Sequence, residues 1–374
     1  MYDVIVVGLG GMGSAVAAHL AQRGQRVAGF EQFWPVHDRG SSHGKTRIIR
    51  QAYYEDPAYV PLLLRAYELW DELEQRSKLR LRVRTGGLMV GLPTSELVTG
   101  TQRSVNEHGL AHEVLDAADI RRRFPAMRPR ADEVGIFEAP AGMLFPELCV
   151  RAHLDWATHA GADLRFNTRI ERWGAEGTKT FAQTAGGERI EARSLVLCSG
   201  AWLQAASDPA PFPVRAERNV MHWFEPEADS IETLQALPVY ILDRGTPMLY
   251  GFPYIRGEGI KAAFHRSGVF TTPETLERAV SRDEIASVRS ALEAWLPEAA
   301  ARHSAAVVCM YELSPDGHFI VGQHPSFRNV IVAGGFSGHG FKFCSVMGEI
   351  VADLTTEGGT RHPISLFSPL RFPQ

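Results

Sequence analysis

The chain has 374 residues, of which 45% are hydrophobic and 22% are charged, and its formal net charge is −4. This length suits two domains, and the composition is that of an ordinary globular protein. The small net charge argues against binding to nucleic acid or to an anionic membrane surface, and no apolar run approaches the length of a membrane span.

The chain ends and the cysteines lead us to expect a cytoplasmic protein. A strand is predicted from residue 2 or 3, which leaves no room for a signal or transit peptide, and the last residues are not a peroxisomal address. The cysteines lie far apart, without the spacing of a zinc site or a disulfide framework. They are Cys149, Cys198, Cys309 and Cys344. We therefore expect reduced thiols and no metal.

The first thirty-one residues have the pattern of a dinucleotide-binding unit. Residues 3–7 are a β-branched apolar run that predicts a buried parallel strand, and residues 8–13 fit G-x-G-x-x-G. Residues 14–23 predict a helix, and residues 27–30 predict a second strand that ends in Glu31.

Each part of this unit has a physical role. Gly8 allows the tight turn, Gly10 lets the backbone approach a pyrophosphate, and Gly13 lets the helix pack against the sheet. The helix N-terminus offers unpaired N–H groups to the phosphates, and Glu31 can accept both ribose hydroxyls of an adenosine. The candidate dinucleotide-binding residues are Gly8, Gly10, Gly11, Met12, Gly13 and Glu31. The pattern leaves open whether the nucleotide is NAD or FAD.

A basic loop follows at residues 39–50, with the sequence R-G-S-S-H-G-K-T-R-I-I-R. Loops rich in glycine, small hydroxyls and cations bind phosphates or carboxylates through backbone N–H groups and side-chain charge. The alternative is a solvated basic loop, and its place directly behind the nucleotide unit favours the functional interpretation.

Further elements are predicted along the chain from hydrophobic periodicity and capping residues. Helices are predicted over residues 59–75 and 148–160, from Thr272-Pro273, and from a capping box at residues 281–284. A strand, a turn and a strand are predicted over 82–92, and further strands over 164–173, 190–199, 239–264 (antiparallel), 307–311, 319–322 and 330–333. The last strand leads into a second glycine-rich turn at 334–340 and a helix over 341–354, which repeats the logic of the opening unit.

Because nucleotide-type patterns occur at the start, middle and end of the chain, we predict a discontinuous organisation. The expected fold class is α/β (α+β overall), with a Rossmann-like nucleotide-binding domain and a second, mainly antiparallel substrate domain. The predicted bounds are 1–81, 146–204 and 318–374 for the nucleotide-binding domain, and 82–145 and 205–317 for the substrate domain.

Six segments together resemble the monomeric sarcosine oxidase and N-methyltryptophan oxidase family. They are residues 8–13, 40–50, 250–253, 259–261, 309–311 and 335–343. The resemblance covers essentially the whole chain in the family's order. It implies a flavoprotein of the D-amino-acid-oxidase fold type, so that the nucleotide-binding domain binds FAD.

The resemblance also implies roles for single residues. Cys309 matches the cysteine that forms a thioether to the flavin 8-methyl group, for which a thiolate is required. Arg50 and Lys342 match the cations that grip the substrate carboxylate, as a fork and a point charge. Lys342 stands in an apolar run at a predicted helix N-terminus, where a nearby anion would offset its charge. Lys261 matches the lysine that activates oxygen, since a fixed cation stabilises superoxide.

Other matching residues concern the pocket and the flavin. Tyr250, His265 and Tyr311 match residues that line the substrate pocket, and Arg47 and His43 match residues near the flavin. The remaining candidate cofactor-binding residues are Ser41, Ser42, Gly335, Gly338 and Gly340. Lys45 departs from the acidic residue expected there, which puts the local charge balance in doubt.

The sequence therefore predicts a flavin-dependent oxidase of secondary amino acids such as sarcosine, which would give an imine, then glycine and formaldehyde, and H2O2. The expected partners are a small amino acid and O2, with no nucleic acid or membrane, and family habit suggests a monomer. Two alternatives stay open: an NAD-dependent dehydrogenase, and a flavin-binding protein without turnover. The sequence does not identify which amino acid is preferred.

Overall fold

The computed structural model describes residues 1–206, 212–245 and 247–372. The parts of the predicted ranges that fall at 207–211, 246 and 373–374 lie outside the described residues. In chain order the strands are β1 (Tyr2–Val7), β2 (Val27–Phe30), β3 (Arg47–Ile49), β4 (Arg82–Arg84), β5 (Gly87–Gly91), β6 (Glu113–Leu115), β7 (Val134–Glu138), β8 (Gly142–Leu144), β9 (Asp163–Arg165), β10 (Ile170–Glu176), β11 (Lys179–Thr184), β12 (Arg189–Leu197), β13 (Arg215–Glu225), β14 (Val239–Leu242), β15 (Met248–Gly251), β16 (Ile260–His265), β17 (Phe270–Thr271), β18 (Arg302–Leu313), β19 (Ile320–Gln323) and β20 (Val330–Gly334).

The α-helices complete the list of elements. They are α1 (Gly11–Gln22), α2 (Val60–Ser77), α3 (Glu96–His108), α4 (Ala117–Arg123), α5 (Pro146–His159), α6 (Leu203–Ala206), α7 (Ile231–Gln235), α8 (Arg282–Trp295) and α9 (Cys344–Glu357). Among the residues that the structure describes, no helix is long and apolar enough to cross a bilayer.

The first sheet has the Rossmann-like arrangement that the opening residues predict. Within the described ranges it has eight strands, and β1 lies between β2 and β12, parallel to both. Val7 pairs with Phe30 on one side and with Leu197 on the other. The turns that follow these three strands therefore meet at one carboxyl edge, where open α/β sheets bind their ligands.

Close packing at this edge explains why Gly8 is a glycine. Its φ is +88°, and a Cβ atom there would lie 2.5 Å from the carbonyl oxygen of Cys198. Helices α1, α2, α5 and α9 cover the sheet through one buried cluster that includes Val16, Leu63, Leu154 and Val351. This rigid core fixes the start of α1 against the sheet edge.

The second sheet is mainly antiparallel, as predicted. In the described ranges it has nine strands in the order β17-β13-β16-β15-β14-β5-β7-β6, with β18 also paired to β13. The long β13–β18 ladder places Asn219 opposite Cys309. The capping box at Ser281 is confirmed, and α8 packs Val288, Leu292 and Trp295 into the core behind this sheet. The predicted domain bounds remain a prediction that these two separate sheets support.

A small third sheet joins the two parts of the molecule. Strand β8 pairs with β3 on one side and β4 on the other. Because Arg50 directly follows β3, this sheet carries the end of the basic loop toward the second sheet.

The strand, turn and strand predicted over 82–92 are confirmed as β4 and β5, which pair with different neighbours: β4 with β8, and β5 with β7 and β14. Three other predicted elements differ from the structure. The predicted strand over 164–173 is two strands, interrupted near Asn167, whose φ is +52°. The helix predicted from Thr272 is wrong: the Thr272 hydroxyl caps the N–H of Thr275, but only a single turn follows.

The third difference concerns the last helix. Residues Phe341–Phe343 form a 3-10 turn, and the α-helix begins at Cys344. Lys342 therefore lies in a tight turn before α9, and its side chain is not part of the first α-helical turn.

Candidate active site and cofactor cavity

One cavity joins the carboxyl edge of the first sheet to the face of the second sheet. Its empty volume is about 2180 Å³, including its open mouth. One end is lined by Gly8, Gly10, Gly11, Met12 and Glu31, and the other by Arg50, Tyr250, His265, Tyr311 and Lys342. Ser41, Ser42, Arg47, Cys309, Gly338 and Gly340 also line it. The fold thus brings most of the predicted site residues around one space.

At the nucleotide end, the glycine-rich turn leaves backbone donors available. Helix α1 begins after Gly10 without a side-chain cap, and the N–H of Gly11 donates to Ser42 Oγ at 3.0 Å. Glu31 is buried, and its carboxylate accepts hydrogen bonds from the N–H groups of Leu9 (3.0 Å) and Phe33 (3.2 Å). The Oε1 atom also lies 3.3 Å from Nε2 of His37, and Oε2 keeps a further lone pair, so the expected role toward ribose hydroxyls remains a prediction.

The cavity fits a large polar ligand. Four buried polar atoms of lining residues have no hydrogen-bond partner among the described residues: Ser41 Oγ, Ser199 Oγ, Asn219 Oδ1 and Glu312 Oε2. Buried polar atoms are nearly always hydrogen-bonded, and a dinucleotide carries the hydroxyl and phosphate groups that would satisfy them. The predicted cofactor and this set of atoms therefore agree.

Cys309 lies beside a cation, in a buried position. Its side chain is 3% exposed, and its Sγ atom is 3.9 Å from Nη2 of Arg47. Burial raises the pKa of the thiol, while Arg47 and then Lys261 act in the opposite direction. Arg47 is held by a hydrogen bond from Nη2 to the carbonyl oxygen of Ser41 at 2.7 Å. The basic loop thus supplies the electropositive setting that a reactive cysteine needs.

Arg50 is buried and already paired. Its Nη2 atom lies 2.6 Å from Glu55 Oε2, and Nη1 donates to the carbonyl oxygen of Ala52 at 2.6 Å. The guanidinium also stacks over the ring of Tyr53, at 4.1 Å. Burial tends to raise the pKa of Glu55, but Arg50 holds it down at about 2. A substrate carboxylate at Arg50 would therefore compete with Glu55, a residue that showed no sequence pattern of its own.

Lys342 points into the same end of the cavity. Its Nζ atom donates to the carbonyl oxygen of His339 at 2.5 Å and lies 3.4 Å from the Tyr53 hydroxyl. Burial, and next the charge of Arg50, lowers the pKa of Lys342 to about 7. The two cations share Tyr53 as a neighbour, and an incoming anion would relieve their mutual repulsion.

Lys261 is buried on the other side of the basic loop. Nζ donates to the carbonyl oxygens of Gly44 (2.7 Å) and Thr46 (2.8 Å) and lies 4.9 Å from the centre of the Phe252 ring. Burial lowers its pKa well below the ordinary value. Lys261 does not line the cavity, so its expected role in oxygen activation stays a prediction. The other predicted residues outside the lining are Gly13, His43 and Gly335.

Aromatic side chains form the wall between the cysteine and the two cations. The ring centroids of His265 and Tyr311 are 5.7 Å apart, and the phenols of Tyr250 and Tyr311 are hydrogen-bonded. Burial lowers the pKa of His265 to about 4, so its imidazole is neutral at pH 7. Gly338 has φ +80°, and any Cβ atom there would overlap the Tyr311 ring. The second glycine-rich turn thus packs its backbone directly on the pocket wall.

Glu138 is a further residue that sequence reasoning missed. It is 2% exposed at the end of β7, and its two oxygens accept hydrogen bonds from the N–H groups of Gln51 (2.8 Å) and Ala52 (2.6 Å). These residues directly follow Arg50, whose guanidinium bonds to Ala52. The carboxylate therefore fixes the backbone that holds Arg50, although 88 residues separate the two in the chain.

The unexpected Lys45 lies at the surface, with φ +69°. Its ammonium group pairs with Glu258 and lies 5.9 Å from the centre of the Trp223 ring. Glu258 thus supplies the negative charge beside Lys45.

The fold and the site are those of a two-sheet protein with a dinucleotide-binding turn at one end of the cavity and two buried cations, Arg50 and Lys342, at the other. A family model described as FAD dependent oxidoreductase (DAO) matches residues 3–354. Monomeric sarcosine oxidase of Streptomyces avermitilis is 48% identical over 375 residues, covering 99% of this chain and 97% of that protein. N-methyl-L-tryptophan oxidase of Salmonella arizonae is 33% identical and covers both chains completely.

Comparison with solved structures agrees. NikD, described as an unusual amino acid oxidase essential for nikkomycin biosynthesis, has a TM-score of 0.85 at 25% identity, covering 98% of this chain and 97% of that chain. The chain belongs to the FAD-dependent oxidoreductases of the DAO family and, within them, to the family of the monomeric sarcosine oxidases. The resemblance inferred from the sequence is confirmed, and the NAD-dependent alternative is not favoured.

Proposed function

We propose that this protein is a flavin-dependent oxidase of N-methyl amino acids, with sarcosine as the first substrate to test. The observation that carries the proposal is the placement of Arg50 and Lys342 at one end of the cavity that also contains the dinucleotide-binding turn. The names of the relatives, sarcosine oxidase and N-methyl-L-tryptophan oxidase, support this substrate class.

The two cations would bind and orient the substrate. Arg50 offers a planar fork to both carboxylate oxygens, and Lys342 adds a point charge. Their positive field also disfavours a protonated substrate amine, so the neutral amine is the form that binds productively. Because His265 is neutral at pH 7, it adds no charge and can accept a hydrogen bond from that amine.

Bound FAD would supply the redox chemistry: it would accept a hydride equivalent from a C–H bond next to the substrate nitrogen, which loses a proton, and O2 would take up the two electrons and two protons and leave as H2O2. The residues that would hold it are those of the 8–13 turn, Glu31, Ser42 and the 334–340 turn. The oxidised substrate is an imine that water hydrolyses, and sarcosine would give glycine and formaldehyde. Lys261 would act on oxygen: its buried amine is fixed by the carbonyl oxygens of Gly44 and Thr46, and its charge, after that of Arg47, lowers the pKa of Cys309.

Covalent attachment of FAD through Cys309 is part of the proposal. The buried thiol lies 3.9 Å from Arg47 and lines the cavity, which supports it. The test is acid precipitation of flavin-replete protein: the pellet should stay yellow in wild type and lose its colour in Cys309→Ala. A colourless wild-type pellet would refute the covalent link and leave the oxidase proposal standing.

The central experiment measures peroxide release with sarcosine and with dimethylamine, which lacks the carboxylate. Sarcosine should turn over with equal yields of formaldehyde and H2O2, and dimethylamine should be a poor substrate. In Arg50→Met the KM for sarcosine should rise at least tenfold, since a charge-assisted hydrogen-bonded pair is lost. Arg122→Met, a change at an exposed arginine that does not line the cavity, is the matched control.

Two outcomes would overturn this assignment. Bound flavin without peroxide from any N-methyl amino acid would favour a flavin-binding protein without turnover. Equal rates with sarcosine and dimethylamine would remove the role of the two cations. Cytoplasmic localisation and a monomeric state also remain proposals, and the word "monomeric" in the relatives' names supports the second.

A further inference from the structure

Glu312 is a buried carboxylate that neither the sequence patterns nor the proposed reaction uses. It lies near the end of β18, three residues after Cys309, and its side chain is 8% exposed. It lines the cavity, and its Oε2 atom has no hydrogen-bond partner among the residues that the structure describes. A buried carboxylate oxygen without a partner is costly, because burial removes water that would otherwise solvate it.

Two backbone groups interact with the Glu312 carboxylate. The N–H groups of Gly335 and Phe336 hydrogen-bond it and favour its ionised form, while burial opposes them and raises its pKa to about 7. Among the residues that the structure describes, no cation contributes to this balance. The carboxyl group therefore stays available to a ligand both as a hydrogen-bond acceptor and, when protonated, as a donor.

Its place in the cavity narrows the chemistry of that ligand. Glu312 interacts electrostatically with Cys198, whose carbonyl oxygen packs against Gly8. It thus lies between the dinucleotide-binding turn and Cys309, on the β12 side of β1. Glu31, the expected partner of the adenosine ribose, lies on the opposite side, after β2. The part of FAD that connects the pyrophosphate to the flavin ring is the ribityl chain, which carries three hydroxyl groups.

We propose that Glu312 binds a hydroxyl group of the ribityl chain of FAD. A phosphate is a poor partner, because its charge would repel the ionised carboxylate, whereas a hydroxyl pairs with either protonation state. The contact would satisfy Oε2 and fix the ribityl chain against the second glycine-rich turn through Gly335 and Phe336. Glu312 is then a cofactor-binding residue that holds the flavin ring in register with Cys309.

The test measures equilibrium binding of FAD, independently of amine oxidation. The experiment uses apoprotein with the Cys309→Ala substitution, which prevents covalent attachment of FAD. Binding of FAD is followed by the change in flavin fluorescence. The ligands are FAD, its 2′-, 3′- and 4′-deoxyribityl analogues, and ADP, which has no ribityl chain. The variants are Glu312→Leu and the milder Glu312→Gln, with Glu133→Gln as a control at a buried carboxylate outside the cavity lining.

We expect Glu312→Leu to weaken FAD binding about 10- to 100-fold, the effect of losing a hydrogen bond to a charged group. ADP binding should stay within twofold, and Glu312→Gln should show a smaller loss. One deoxy analogue should bind the apoprotein that retains Glu312 as weakly as FAD binds the Glu312→Leu variant. The affinity of this analogue should not fall further in Glu312→Leu, because the contact is already absent.

Three results would overturn the inference. The first is an unchanged affinity of Glu312→Leu for FAD, and the second is an equal loss of affinity for FAD and for ADP. The third is that the loss of affinity caused by Glu312→Leu adds to the loss caused by each of the deoxy analogues. Circular dichroism and the dissociation constant of ADP report whether a variant folds. If Glu312→Leu does not fold, Glu312→Gln replaces it in the test, because glutamine retains the shape of the side chain. Failure of the proposed oxidase activity would leave these binding constants unaffected, so the two ideas are tested separately.

Discussion

Replacing Glu138 with glutamine tests whether this buried carboxylate positions the substrate-binding arginine. The change keeps the size of the side chain but swaps one oxygen for an NH2 group, so either Gln51 or Ala52 loses its acceptor. Losing one hydrogen bond to a charged group costs about 1.5–3 kcal/mol, equivalent to roughly a 10- to 150-fold change in an equilibrium constant. Part of this loss should appear as lower stability, and part as a displaced Arg50.

Burial raises the pKa of Glu138 to about 7, so the comparison is made at a pH well above 7, where the carboxylate is charged; there we expect the free energy of unfolding of Glu138→Gln to fall by about 2 kcal/mol. The KM for sarcosine should rise about tenfold with kcat nearly unchanged, because the carboxylate contact is used equally in the bound substrate and in the transition state. Urea unfolding and peroxide-coupled kinetics measure the two quantities on the same preparations.

Glu133→Gln provides the matched control. Glu133 is 1% exposed, pairs with Arg244 at 2.7 Å and accepts a hydrogen bond from the N–H of Arg130, yet it does not line the cavity. This variant should lose comparable stability and keep the wild-type KM. If Glu138→Gln loses stability while its KM equals that of the control, the reasoning that links Glu138 to Arg50 through Ala52 is wrong.

Three further predictions concern the same regions. Burial lowers the pKa of Lys342 to about 7, so its charged form is lost as the pH rises above 7. The Kd of butyrate, a carboxylate without an amine, should therefore be constant below pH 7 and increase above it. Lys342→Arg should bind butyrate with little pH dependence, and a flat wild-type profile would contradict the depressed pKa. The Ser281 hydroxyl caps α8 by accepting a hydrogen bond from the N–H of Glu284 at 3.2 Å. Ser281→Ala removes this cap and should lower the free energy of unfolding by about 1 kcal/mol without changing KM. Gly338→Ala should destabilise the protein by more than about 1 kcal/mol and slow turnover, because the residue needs φ +80° and its new Cβ atom would displace Tyr311; wild-type thermal unfolding and turnover in this variant would refute that packing.

The nucleotide-binding part of the fold could be predicted because its determinants are local. A β-branched run, a glycine-rich turn and a helix are adjacent in the chain, and the backbone conformations that glycine allows at the turn do not depend on distant residues. The same holds for the capping box at Ser281. Thr272 shows the limit of local reasoning, because a correct cap was followed by no helix.

The tertiary structure alone decided how the second half of the site is assembled. Arg50, Glu138 and Lys342 come from separate parts of the chain, and no periodicity links them. Pairing of β3 with β8, and of β7 with β5, brings Glu138 to the loop after Arg50, while the 3-10 turn before α9 delivers Lys342.

Burial is the other property that only the folded chain determines. The sequence assigned Lys261, Lys342 and Cys309 by resemblance, but their shifted pKa values follow from the loss of water around them. Glu55 and Glu312 are unremarkable acids in the sequence. In the folded protein Glu55 pairs with Arg50, and Glu312 has an oxygen buried in the cofactor cavity that no described residue hydrogen-bonds.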